Sequence, residues 1–217
     1  MNFEQARFNM IEQQIRPWEV LDPTVLATLG QLKREDFVPA AYRELAFADL
    51  ELPIAAGQTM LAPRVEARFL QELALKKTDK VLEIGTGTGY MAALLAALTE
   101  HVVTVEINPE LAATAKQNLA NAGIDNVSIE IGDGAQGWSA RGPYDVIVVS
   151  GSLPEVPPAL LQQLRRGGRL AVVVGEAPVM TAEVITYTAE GVFNSIKVFE
   201  TVIAPLANAK ASPKFEF

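Results

Sequence analysis

The chain reads as an α/β domain built on a doubly wound, mostly parallel sheet, and three observations carry that reading. In Val81-Leu82-Glu83-Ile84-Gly85-Thr86-Gly87-Thr88-Gly89-Tyr90, an apolar run containing an acid meets glycine at every second position, ahead of an alanine- and leucine-rich segment. That is a strand, a tight turn and a helix start, the arrangement that opens a nucleotide site in such folds. Short β-branched runs then recur at intervals that leave room for one helix each. Finally, Glu83, Glu106 and Asp133 fall at successive predicted strand ends, where an open sheet binds its ligand.

Taken in order, the segment up to about residue 50 reads as helices. Phe8, Ile11 and Ile15 form one apolar stripe, Asp22-Pro23 caps a helix carrying Val25, Leu26 and Leu29, and Phe37-Val38-Pro39 breaks the path before Tyr42 to Phe47. Leu52 to Ala62 is irregular, and Pro63 opens a helix with Val65, Phe69 and Leu73 on one face. The glycines after Ile84 allow positive φ and a close approach of backbone to ligand. Their G-x-G-x-G spacing differs from the dinucleotide pattern G-x-G-x-x-G, since Tyr90 stands at the last glycine position, and it is typical of S-adenosylmethionine sites. His101 to Glu106 is the second strand, and its terminal acid suits the two hydroxyls of a ribose. Asn108-Pro109-Glu110 begins a helix with Leu111, Ala115 and Leu119 inward and Gly123 at its stop. Val127, Ile129 and Ile131 alternate into Gly132-Asp133-Gly134, whose acid is placed to accept from an adenine amino group. Tyr144 to Ser150 is a central strand buried on both faces, Leu170 to Val174 a fifth, and Glu183 to Thr188 with Val192 to Val202 an edge hairpin about Glu190-Gly191.

Composition agrees with one globular domain. The 217 residues are 49% hydrophobic and 20% charged, and the net charge of −8 opposes a nucleic-acid partner, which needs a basic surface. Cysteine is absent, which excludes thiolate catalysis and disulfides. No run approaches the roughly 20 apolar residues of a membrane span, and charges interrupt the first helix, so the expected location is the cytoplasm. We expect a single domain over residues 1–217. Residues 1–62 form a helical cap and loop, 63–206 the core with its hairpin, and 207–217 an exposed tail.

The order Gly57-Gln58-Thr59, Pro63, Val81 to Tyr90, Gly132-Asp133-Gly134 and Pro154-Glu155-Val156-Pro157 resembles protein-L-isoaspartate O-methyltransferases. Arg34 with Phe37-Val38-Pro39, Asp49 before Leu52-Pro53-Ile54, Val173 to Glu176, and Ala204-Pro205-Leu206 are similar as well, so the likeness spans roughly residues 20–206. The resemblance implies a Rossmann-like class I methyltransferase with a seven-stranded, mostly parallel sheet, helices on both faces and an N-terminal helical cap. It also implies S-adenosyl-L-methionine as cofactor and methyl transfer to the α-carboxyl of an isoaspartyl residue in damaged protein. By the same resemblance the cofactor residues are Gln58, Glu83, Gly85, Thr86, Gly87, Glu106, Ile107, Asp133 and Gly134, and the loop positions beside the acceptor are Thr59 and Leu61. Leu61 stands where the family has serine, and Ala55 replaces a glycine common before the loop, so the hydroxyl beside the acceptor is missing.

A carboxylate is ionised at neutral pH and needs no base to act as a nucleophile, so positioning dominates such chemistry. The scarcity of candidate bases fits this: the one histidine, His101, opens a strand away from the ligand-binding ends and reads as structural. No metal site is expected, and Asp145 reads as a backbone partner rather than a ligand. Tyr90 and Trp138 could line the pocket or belong to the core, and Trp18 could rim an acceptor cleft or pack the cap. Three other functions stay open. One is a methyltransferase of the same fold acting on a different peptide or small molecule. Another is a non-catalytic cofactor-binding homologue, and the third, disfavoured by Tyr90, is a nicotinamide dehydrogenase. The expected partner is a protein or peptide carboxylate, with no nucleic acid or membrane, and the chain is expected as a monomer or homodimer.

Overall fold

The computed structural model describes residues 2–209. A seven-stranded sheet forms the centre, with strands β3 (Lys80–Ile84), β4 (His101–Glu106), β5 (Val127–Ile131), β6 (Tyr144–Leu153), β7 (Leu164–Glu176), β8 (Val179–Ala189) and β9 (Val192–Glu200). Their spatial order is β5-β4-β3-β6-β7-β8-β9. The first five run parallel, and β8 then pairs antiparallel with both β7 and β9. The chain order therefore reverses between β3 and β6, which opens a crevice at their carboxyl ends. The expected edge hairpin is β8 with β9, and β7 with β8 forms a second one of eight residue pairs that ends at Glu176 and Val179.

Alternation along the strands sorts two apolar layers. Val81, Val102, Val146, Val148, Ala171 and Val173 face one side, joined there by α3 (Pro63–Leu73), α4 (Tyr90–Leu98) and the N-terminal cap. Leu82, Val103, Ile147, Val149 and Val172 face the other, where α6 (Pro158–Leu161) and Trp138 cover them. Among the described residues, the second face thus has only a four-residue helix, its remaining cover coming from loop side chains. Helix α4 is buried almost throughout because it lies between the sheet and the cap. Helix α5 (Pro109–Asn121) is N-capped by Asn108, whose Oδ1 accepts from Glu110 N and Leu111 N.

The cap contains α1 (Phe3–Met10), continued by a wider π turn over Ile11–Ile15, and α2 (Pro23–Gln31), followed by short 3₁₀ turns. Trp18 packs edge-on against Phe199, with ring centroids 4.9 Å apart, and Arg64 stacks over its indole. Packing of the cap is therefore its role. The loop expected to be irregular contains a small antiparallel ladder, Leu52–Pro53 (β1) with Thr59–Met60 (β2). It folds back through Ala56 and Gly57, both at positive φ.

One buried side chain joins cap, loop and core. Arg34 is 0% exposed. It donates to Ala46 O at 2.9 Å and Leu61 O at 2.6 Å, pairs with the buried Glu66 of α3, and stacks 4.8 Å over the ring of Tyr90. Removing one partner of such a pair strands the other charge, at a cost of about 3–5 kcal/mol, whereas replacing both with apolar groups is often tolerated. Arg34→Ala is expected to lower Tm by about 10 °C in a thermal melt. Arg34→Met with Glu66→Leu should recover most of that loss.

Candidate active site

The crevice beyond β3, β4 and β6 holds a cavity of about 250 Å³. Its floor is the glycine turn. Gly85, Gly87 and Gly89 all have positive φ, at 92°, 54° and 89°, which explains glycine at every second position. Gly85 N continues the ladder by donating to Val105 O at 2.9 Å, and Gly89 N closes the turn on Thr86 O at 2.9 Å. A Cβ on Gly89 would lie 3.2 Å from that of Ala115, so this glycine also lets α4 and α5 approach.

Glu106, at the end of β4, fixes the turn from the side. Its Oε2 accepts from Gly87 N at 2.9 Å and its Oε1 from Asn108 N at 3.0 Å. Both oxygens keep further acceptor capacity toward the cavity they line. Asp133 is held similarly: Oδ1 accepts from Ala135 N at 2.9 Å and Oδ2 from Asn208 Nδ2 at 3.1 Å.

Gln58, Gly85, Gly87, Glu106, Ile107, Asp133 and Gly134 line the cavity, together with Thr59 and Leu61 of the loop. Two of the expected cofactor residues do not. Glu83 and Thr86 are buried beneath the turn, where Thr86 Oγ1 meets Thr104 Oγ1 at 2.6 Å and Thr104 donates to Glu83 Oε2 at 2.7 Å. They border a smaller cavity shared with Tyr90, Glu66 and Leu61. Burial pushes the Glu83 carboxyl up to about 8, partly offset by bonds from Thr104 and Ser150 and reinforced by the charges of Glu106 and Glu66. Burial also raises Glu66, against which the Arg34 guanidinium acts to keep it ionised.

Tyr90 belongs to the buried cluster, edge-on to Phe37, and burial raises its phenol. Trp138 packs against Gly132 in the second apolar layer and does not line the cavity. His101 lies at the opposite strand end and bonds Ser128 Oγ at 3.0 Å. Asp145 accepts from Lys80 N and pairs with Arg165. The expectation of an exposed tail from Ala207 needs correction: Ala207 lines the cavity and Asn208 bonds Asp133, because Ser152 and Pro205 bridge and draw the chain back over the crevice. Residues 210–217 of that tail lie outside the described residues.

Sequence reasoning missed several contributors, three of them with a clear role. Asn108 lines the cavity as well as capping α5, Ile54 covers Gly87, and Ser150 forms part of the wall beside Gly85. A hydroxyl ending an apolar strand was the one available signal for Ser150. Among the described residues, the cavity carries two acids and no Lys, Arg or His. Such a lining favours a ligand of positive charge with hydroxyl and amino donors, and disfavours a pyrophosphate, which lacks a cation to meet it.

Comparison with known proteins agrees with this geometry. The protein-L-isoaspartate(D-aspartate) O-methyltransferase family model matches residues 5–211. The chain belongs to that family. A protein-L-isoaspartate O-methyltransferase of Koribacter versatilis is 41% identical over 204 residues, covering 94% of this chain and 91% of the relative. One from a Picosynechococcus species is 47% identical, over 78% of this chain and 76% of the relative. Among solved structures, a Plasmodium falciparum beta-aspartate methyltransferase in complex with S-adenosyl-L-homocysteine superposes with a TM-score of 0.80 at 22% identity, covering 95% of this chain and 99% of that one, which supports the fold. The family is one of methyltransferases that use S-adenosylmethionine, and the cavity's lining suits that cofactor.

Two outcomes follow from the electrostatics. Glu106→Ala should weaken S-adenosylhomocysteine binding about 10- to 100-fold by calorimetry, since each hydrogen bond to a charged group is worth about 1.5–3 kcal/mol. Glu83→Gln tests the buried acid. With its folded pKa above the unfolded value, Glu83 stabilises fully below about 4.5, and that contribution is lost as pH rises through about 8. The neutral amide has no such dependence, so the Tm of Glu83→Gln relative to wild type should rise between pH 5 and 8 and level off above it.

Proposed function

We propose that this protein is a carboxyl O-methyltransferase acting on L-isoaspartyl residues of damaged proteins or peptides, with S-adenosylmethionine as methyl donor. The observation that carries the reading is the pairing of the acidic cofactor cavity with the Gly57–Leu61 loop on its rim. S-adenosylmethionine, when bound, supplies an electrophilic methyl group. Gly85 and Gly87 would take its methionine end, Glu106 its ribose hydroxyls, and Asp133 with Gly134 its adenine.

The residues of the chain do the rest by position. Arg34 pins the Leu61 carbonyl, and the β1–β2 ladder fixes Gln58 and Thr59 over the turn. Leu61, Ile54, Pro205 and Leu206 exclude water from the cavity mouth. The acceptor carboxylate arrives ionised, so no proton has to be removed. This accords with the absence of a histidine or lysine among the described residues lining the cavity.

Transfer of labelled methyl to paired peptides that differ only in aspartate versus isoaspartate tests the reading. Base-labile label is expected on the isoaspartyl peptide alone, and equal or no labelling would overturn it. Leu61→Ser, which places a second hydroxyl at the rim, is expected to raise kcat/KM on that peptide by up to about tenfold. Loss of activity in that variant would show that the apolar side chain is required there.

A further inference from the structure

An acceptor carboxylate entering this cavity meets no cation, and an unpaired buried carboxylate is costly. Something in the wall must donate to it. Among the described residues lining the cavity, the side-chain donors are the amides of Gln58 and Asn108, which flank the turn and the start of α5, and the hydroxyls of Thr59 and Ser150. Thr59 Oγ1 already donates to Glu51 Oε2 at 2.8 Å. Arg34, the nearest guanidinium behind the loop, is committed to two carbonyls and Glu66.

Ser150 is differently placed. It follows Val149, which pairs with Ile84, so it stands directly beside the glycine turn. A Cβ on Gly85 would lie 3.6 Å from the Ser150 Cβ. Ser150 borders both the main cavity and the smaller one beneath the loop, as Leu61 does from the opposite element. Its hydroxyl donates to Glu83 Oε1 at 3.1 Å, long for a bond between two oxygens. Glu83 is itself oriented by Thr104, which Thr86 engages in turn.

We propose that the Ser150 hydroxyl, backed by Glu83, is the donor that holds the acceptor carboxylate beside Gly85. Glu83 is a positioning residue in this arrangement. It holds the serine at the wall by accepting that long hydrogen bond, and an ionised carboxylate in the cavity, the stronger acceptor, draws the hydroxyl proton away from it. The buried Thr86–Thr104–Glu83 chain thus ends on a hydroxyl at the cavity wall. The assignment rests on the isoaspartyl reading given above.

The test compares two peptides on the enzyme saturated with S-adenosylhomocysteine: one with an isoaspartyl α-carboxylate, and one with the α-carboxamide in its place. Wild type should bind the carboxylate more tightly, because a charged acceptor makes the stronger hydrogen bond. In Ser150→Ala, again saturated with S-adenosylhomocysteine, that preference is expected to fall about tenfold, and Ser150→Thr should restore it. Methyl transfer to the isoaspartyl peptide should drop about 10- to 100-fold in kcat/KM for Ser150→Ala. An unchanged preference in Ser150→Ala, with wild type active, would overturn the assignment and leave the isoaspartyl reading standing. If wild type neither methylates nor binds the isoaspartyl peptide, both fail together.

Discussion

The structure depends on a guanidinium that never sees water. Arg34 sits between the cap, the acceptor loop, α3 and α4, and each of its contacts is to a different one of them: Ala46 O, Leu61 O, the Glu66 carboxylate and the Tyr90 ring. Its planar fork of donors can satisfy two carbonyls and an acid together, which lysine could not do. A buried ion pair is weak evidence for stability as such, because desolvation offsets much of the attraction. What Arg34 supplies is register. It sets where Leu61 stands relative to Tyr90 and the glycine turn, and so how the cavity is closed.

The cofactor side is built on the opposite electrostatic logic. Glu106 is held by two backbone N–H groups, Asp133 by one N–H and an asparagine amide, and among the described residues nothing cationic lines the space between them. Those bonds stabilise the carboxylates without neutralising them, so the crevice stays negative. A sulfonium bearing an amino group and a diol complements such a wall. The charge pattern thus separates this site from a phosphate-binding version of the same sheet better than the glycine spacing does.

Between these two halves lies a buried layer that borders the smaller cavity beneath the turn. Glu83 is in the strand that carries the turn, yet it points below it, toward Thr104 and Ser150. Its burial keeps the proton on the acid, so a second carboxylate charge is not added close to Glu106. A neutral acid is a weaker acceptor than an ionised one, so it holds the Ser150 hydroxyl less tightly.

The sequence by itself determined the sheet, the glycine turn and the strand-end acids Glu106 and Asp133. Those features are local: period-two burial, positive φ and helix capping act over a few residues, so they leave a direct pattern in the chain. The same local rule could not tell that Glu83 points beneath the turn, because a strand-end position does not say which face a side chain takes. The roles of Arg34, Ser150 and Ala207 were decided only by tertiary structure. Arg34 meets Glu66 across 32 residues of sequence, Ser150 meets Glu83 across 67, and Asn208 reaches Asp133 across 75. Such pairings arise when the sheet brings distant strand ends together, and no spacing rule within the chain encodes them. Trp18 shows the same limit in the cap: its choice between rim and core was settled by Phe199, on the last strand of the sheet.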